Sequence, residues 1–267
     1  MFWTRLASGI VLMFVALTTM SLGGSLLALV LWAISLAAFK ELTKALKCGF
    51  GLELIGMAGI TAYYLLLYFS GSHTMLLMCI VGVFLAFLFA YVAAFPKYHA
   101  EQVMTAVFSF LYAPVLLSFV YQTRMYHQGF YMVWMILISS WGCDTCAYVV
   151  GKLIGKKKIF PVLSPKKSLE GCIGGVLGSA LLGWLYGFFV VEKAFGDPRI
   201  AWMRAVICGV GAVMSMVGDL AASGIKRNVD IKDYGRLIPG HGGIMDRFDS
   251  MIVTAPMTYF LTILLLS

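Results

Sequence analysis

Residues 74–95 read TMLLMCIVGVFLAFLFAYVAAF, 22 residues without a charged side chain. A bilayer core about 30 Å thick takes about 20 apolar residues in a helix rising about 1.5 Å each, so this run is long enough to span one. Comparable runs lie at 3–20, 21–39, 53–70, 102–121, 130–150, 171–191, 201–222 and 250–267. Their apolar residues are continuous rather than alternating, which excludes a closed β-barrel. Composition agrees: the 267 residues are 61% hydrophobic and 12% charged, with mean hydropathy +0.91, against about 45–50% and about 25% in soluble domains. A water-soluble fold of this length leaves about a quarter of its surface exposed and cannot hide so much apolar area. The expected architecture is an all-α polytopic membrane protein of about nine transmembrane helices. It reads as one integral membrane domain over 1–267, with N-terminal helices of unassigned role in 1–125 and the unusual chemistry in 126–267.

Finer features fit this frame. The first two runs are short and joined by Ser21-Leu-Gly-Gly-Ser25, which suggests a tight hairpin. Arg5 precedes an apolar stretch, but no Ala-x-Ala-like site follows Met20, so the segment reads as a retained span rather than a cleaved signal. Pro114 and Pro256 sit inside runs and should kink their helices. The six cysteines mostly lie in apolar runs and read as small buried hydrophobes. Cys143 and Cys146 form a CxxC without a second pair to complete a zinc site.

Net charge is +8. In a multi-pass chain, lysine and arginine gather in cytoplasmic loops, a simpler cause than nucleic acid binding. With the amino terminus inside, only Arg124, Lys193, Arg199 and Arg204 of the 20 basic residues fall on the outer face. The expected orientation therefore has a cytoplasmic amino terminus, and the basic loops 151–170 and 223–249 lie on that side.

Only 12 acidic residues exist, so their positions carry information. Asp144, Asp219, Asp246 and Asp249 lie near the cytoplasmic ends of three spans, and the last two share a helix face at i,i+3. An ionised carboxylate inside a span costs about 2.5–3.5 kcal/mol on insertion scales, and four together repel one another. Arg247 offers neutralisation to Asp246 or Asp249. A hard divalent cation with oxygen ligands accounts for all four, and Mg²⁺ is favoured where phosphates complete the coordination.

Phosphate-binding candidates surround these acids. In Ser164-Pro-Lys166-Lys167-Ser168-Leu-Glu-Gly171, two lysines and two hydroxyls stand at a helix entrance. Ser168 is suited to cap that helix, whose first N–H groups favour anions. Ordinary stop-transfer charge is the alternative there, and it explains Lys156-Lys157-Lys158 better, as do anionic headgroups. More specific is the run Ser223-Gly-Ile-Lys226-Arg227, Lys232-Asp233-Tyr-Gly, Pro-Gly240-His241-Gly242-Gly243, Asp246-Arg247-Phe-Asp249. Glycines around His241 allow close backbone approach, and successive N–H groups can cradle phosphate. Lys226, Arg227 and Lys232 supply positive charge, arginine in a bidentate fork.

At these residues the chain resembles the phosphatidate cytidylyltransferase (CDP-diacylglycerol synthase) family. The long family signature matches from Ser223 to Asp249 without a gap. Two further family-like blocks are Asp144-x-x-Ala147-Tyr148-x-x-Gly151 and Ser164 to Gly171. The resemblance covers about 140–250 at residue level. It implies synthesis of CDP-diacylglycerol and pyrophosphate from CTP and phosphatidic acid, with Mg²⁺ in a two-cation site whose second ion is open. It further implies a multi-pass protein of the bacterial inner membrane, acting from the cytoplasmic side, with no nucleic acid partner and with homodimerisation left open. Asp219, Asp246, Lys167 and His241 are then the catalytic candidates, and Asp144, Asp219, Asp246 and Asp249 the metal ligands. Substrate binding falls to Ser164, Lys166, Lys167, Ser168, Ser223, Lys226, Arg227, Lys232, Asp233, Gly240, His241, Gly242, Gly243 and Arg247. The competing readings are a CTP-dependent polyprenol or lipid kinase, which needs a base for a hydroxyl nucleophile, and an ion-coupled transporter. Transporters typically hold their acids near the midplane in both halves; here they gather at one face and in one half.

Overall fold

The computed structural model describes residues 2–240 and 242–266, with side chains from Ala7 on. His241 and the side chain of Arg5 lie outside the described residues. Nine helices run through the described chain: α1 Phe2–Leu22, α2 Gly24–Ala45, α3 Phe50–Phe69, α4 His73–Ala93, α5 Ala100–Met125, α6 Gly129–Ile154, α7 Leu169–Phe195, α8 Arg199–Asn228 and α9 Met245–Leu266. Eight are long and apolar enough to cross a membrane, and α1 adds the apolar stretch Ala7–Leu22. No strand occurs among the described residues, only the isolated bridges Lys158–Ser168 and Ile238–Gly242. The fold is all-helical and polytopic, as the apolar runs imply.

Helix ends depart from those runs. The first two helices are full-length rather than short, and they meet at Gly23 and Gly24, both in the left-handed region (φ 66° and 54°). Hydropathy falls at the first lysine, but helices continue through it: α6 carries Lys152 in its last turn, and α8 carries Lys226 and Arg227 in its own. Cations at a helix C-terminus face the negative end of the macrodipole, so these residues favour the extension. Asp144 and Asp219 consequently stand ten and nine residues before their helix ends, deeper along each helix than the apolar runs indicate. Pro114 lies in a π-helical turn, Leu111–Val115, which absorbs its missing N–H within α5.

The chain forms two compact units: residues up to Tyr121 with Val229–Arg247, and Gln122–Asn228 with the residues from Phe248 on. In the first, α2, α3, α4 and α5 bury Phe39, Leu42, Ile60, Phe87 and Phe110. Gly56 makes room for the Phe39 ring, and buried polar groups pair across helices, Tyr63 Oη with Ser118 Oγ at 3.0 Å and Ser35 Oγ with Tyr64 Oη at 2.8 Å.

In the second unit, α6, α7 and α8 approach closely through small residues, the packing mode open to helices that share an apolar solvent. A Cβ at Gly175 would lie 2.8 Å from Met216 Cε and 3.1 Å from the Cys143 carbonyl. One at Gly183 would lie 2.7 Å from Cys208 Cβ and 2.8 Å from the Arg204 carbonyl. Cys146 packs against Gly178, Cys143 is buried, and all six cysteines are free thiols. Gly183→Val is therefore expected to destabilise the protein by about 1–3 kcal/mol through overpacking, read as a lower unfolding midpoint in detergent. Gly82→Val, where nothing stands within 4 Å, should leave the midpoint unchanged.

Candidate active site

Within the second unit the site begins at the start of α7. Ser168, in extended backbone (φ −111°, ψ 156°), caps the helix by accepting a hydrogen bond from Gly171 N at 3.2 Å. The preceding loop folds back on the same turn. Leu169 N donates to Lys157 O (2.8 Å), and Glu170 accepts from Lys156 N (3.0 Å) and Lys157 N (3.3 Å). Lys158 Nζ is taken up by Lys166 O at 3.0 Å, so this lysine has a structural partner. A Cβ at Gly155 would overlap the Gly151 carbonyl oxygen and the capping hydroxyl of Ser168, and one at Gly151 would crowd that hydroxyl at 3.2 Å.

That turn walls a pocket of about 290 Å³ lined by Asp144, Tyr148, Lys152, Lys166, Lys167, Ser168, Cys172 and Met216, among others. Lys167 reaches Asp219 of α8 at 2.5 Å. Its ammonium nitrogen is buried and makes no hydrogen bond among the described residues, so the contact is a charge pair with donors to spare. Asp249, 8% exposed, accepts from Ser250 N (2.8 Å). Its charge is in range of Asp219, Lys226 and Asp144. Gly218 allows this approach, because a Cβ there would lie 2.6 Å from the Asp249 carbonyl oxygen. Three of the four candidate metal ligands are thus electrostatic neighbours. Among the described residues, however, no three His, Cys, Asp or Glu side chains converge closely enough to enclose an ion.

Asp246 belongs to the first unit and opens α9. Its Oδ2 accepts from Tyr234 N at 2.8 Å and Gly243 N at 3.1 Å. Gly240 and Gly242 turn the intervening chain in the left-handed region (φ 77° and 90°), and Ile238 N closes on Gly242 O at 2.9 Å. Gly243 N, in the loop expected to face phosphate, donates to one of the protein's own carboxylates, and the next two amides do the same. One of these was not legible in the sequence: Glu41 of α2 accepts from Ile244 N (3.1 Å) and Met245 N (2.9 Å). A lone acid beside Lys40 at the end of an apolar helix was the available signal.

The remaining candidates divide between helix and loop. Ser223, Lys226 and Arg227 ride the last turns of α8 rather than a loop, with Arg227 exposed. Ser164 starts the turn that ends in Lys167, whose N donates to Ser164 O at 3.1 Å. Lys232, Asp233 and Gly240 are exposed. Arg247 is half-buried, its Nε has no hydrogen-bond partner, and it forms no ion pair with Asp246 or Asp249 among the described residues.

Comparison with known proteins bears on this geometry. The model of the cytidylyltransferase family matches residues 3–265. The chain is similar to the phosphatidate cytidylyltransferase of Staphylococcus epidermidis, 30% identical over 265 residues, covering 97% of this chain and 98% of that protein. The enzyme of Staphylococcus haemolyticus bearing the same name is 29% identical over 267 residues, with the same coverage. That of Staphylococcus saprophyticus is 37% identical over 156 residues, a match spanning 58% of this chain and 57% of that protein. With the family model matched almost end to end, the chain belongs to the cytidylyltransferase family.

Proposed function

We propose that this multi-pass membrane protein transfers the cytidylyl group of CTP to phosphatidic acid, as the names of its relatives suggest. An oxygen of the lipid phosphate attacks the α-phosphorus of CTP. One P–O bond forms, the bond to the β-phosphate oxygen breaks, and pyrophosphate leaves with the electron pair. The nucleophile is already an anion, so no strong base is needed, and the barrier is repulsion between phosphates.

The observation that carries the reading is the Lys167–Asp219 pair beside the lysine-lined pocket. Lys152, Lys166 and Lys167 offer three ammonium groups to a phosphate, and Tyr148, Cys172 and Met216 give that pocket apolar walls suited to a lipid. Lys167 holds donors in reserve and is the residue we assign to the transferring phosphates. Lys226 and Arg227, with Lys232, take the nucleotide phosphates, and Ser164, Ser223, Asp233 and the Gly240–Gly243 loop with His241 complete substrate binding.

What supports a divalent cation is the charge around Asp249, which is buried with Asp219 of α8 and Asp144 of α6 near it, although the three carboxylates are not drawn together tightly enough to enclose an ion as they stand. Asp144, Asp219 and Asp249 would hold Mg²⁺, with Asp246 one helical turn before Asp249. When bound, Mg²⁺ supplies positive charge to the attacking and leaving oxygens. We assign the site and the amino terminus to the cytoplasmic side of a bacterial inner membrane, on the strength of the basic loops and the need for soluble CTP.

Purified protein given phosphatidic acid, Mg²⁺ and CTP labelled in the base and at the γ-phosphate should yield a lipid carrying the base label. A lipid carrying γ-phosphate would identify a kinase, and ion flux without turnover a transporter. Asp249→Asn should lower turnover by at least the ~10–100-fold typical of losing even an outer-shell partner of a metal. Wild-type, Mg²⁺-dependent rates in Asp249→Asn and Asp219→Asn would overturn the metal assignment.

A further inference from the structure

Glu41 lies outside every motif read from the sequence, yet it organises the glycine loop. Its two carboxylate oxygens accept from the successive amides Ile244 and Met245, 203 and 204 residues away in the chain. These amides lie at the entry of α9, where N–H groups have no partner within the helix and where the macrodipole favours negative charge. The preceding amide, Gly243 N, turns to Asp246 instead, with Tyr234 N beside it. Three consecutive N–H groups are thereby shared between two neighbouring carboxylates, the arrangement in which a backbone concavity holds an anion. Gly235 and Gly243 both press on the Glu41 carboxylate, and a Cβ at either position would overlap it. Contacts local to 234–246, of Asp246 with Tyr234 N and Gly243 N and of Ile238 N with Gly242 O, close this stretch on itself; the hold on Ile244 and Met245 comes from a side chain of α2.

We infer that Glu41 is a positioning residue, which sets the course of residues 242–246 into the first turn of α9 and so orients Asp246 for nucleotidyl transfer. The part concerning catalysis rests on the function proposed above. The hold on the loop does not. Glutamine keeps the size of Glu41 but offers one acceptor oxygen, and its amide group would turn its own N–H donors toward a backbone donor.

The test compares the full-length wild type, Glu41→Gln and Glu41→Asp in one detergent, by amide hydrogen exchange over 242–246 and by steady-state kinetics with CTP and phosphatidic acid. In Glu41→Gln, exchange at Ile244 and Met245 should rise about tenfold, and kcat should fall at least tenfold while KM for phosphatidic acid stays within twofold. The unfolding midpoint should move little. Glu41→Asp, which keeps both acceptors on a shorter arm, should recover part of kcat. Unchanged exchange in Glu41→Gln overturns the inference, as does a drop in unfolding midpoint with kcat per folded molecule intact. If Glu41→Gln does not fold, Gly243→Ala tests the same contact from the loop side, with the same rise in exchange expected and protection at wild-type level contradicting it. A wild type that exchanges as expected but turns over no CTP would sink the functional reading and leave the loop assignment standing.

Discussion

A carboxylate taken out of water must find positive charge or hydrogen-bond donors, or it will not stay ionised. That constraint organises the polar half of this protein. Asp219 meets it with Lys167 at 2.5 Å. Among the described residues, Asp246 and Glu41 meet it with the backbone amides of Tyr234, Gly243, Ile244 and Met245. Asp249 is the least compensated of the group, since the near charges of Asp219 and Asp144 oppose Lys226. A buried group left in that condition, at the start of a helix half-buried in the protein, is where a bound cation would add most.

The apolar half exists to hold these groups in place. In the second unit, glycines on α7 and α8 let neighbouring helices come within backbone contact, and Gly218 brings the α9 backbone beside Asp219. Such packing leaves little freedom to shift, so side chains carried on the helices inherit fixed positions. The pocket beside Lys167 stands at the end of this tight bundle, walled by Ala147, Gly151 and Gly171 as much as by the lysines. In the first unit the N-terminal helices acquire a task through Glu41, and Ser8 Oγ donates to Pro239 O of the same loop at 3.1 Å.

Continuous apolar runs made the nine helices legible, because only helices and closed barrels satisfy the backbone inside hydrocarbon, and barrel strands alternate. Their ends were less so: Lys152, Lys226 and Arg227 look like loop charge but continue α6 and α8. The Ser168 cap was readable from the hydroxyl at a helix entrance, and the nearness of Asp219 to Asp249 from their common depth. Spacing could not reveal Glu41, because its partners lie some 200 residues away and are backbone atoms, which leave no mark on side-chain identity. Glycine-rich loops advertise anion binding whether the anion is a ligand or the protein's own carboxylate. In this structure Gly243 N of that pattern donates to Asp246.

Anomalous diffraction from crystals grown with Mn²⁺ in place of Mg²⁺ bears most directly on the account. An anomalous peak within coordination distance of the Asp219 and Asp249 carboxylates is the expected result, with Lys167 no longer pressed against Asp219. Crystals that bind Mn²⁺ elsewhere, or that leave these carboxylates paired only with lysine at saturating Mn²⁺ and CTP, would contradict it.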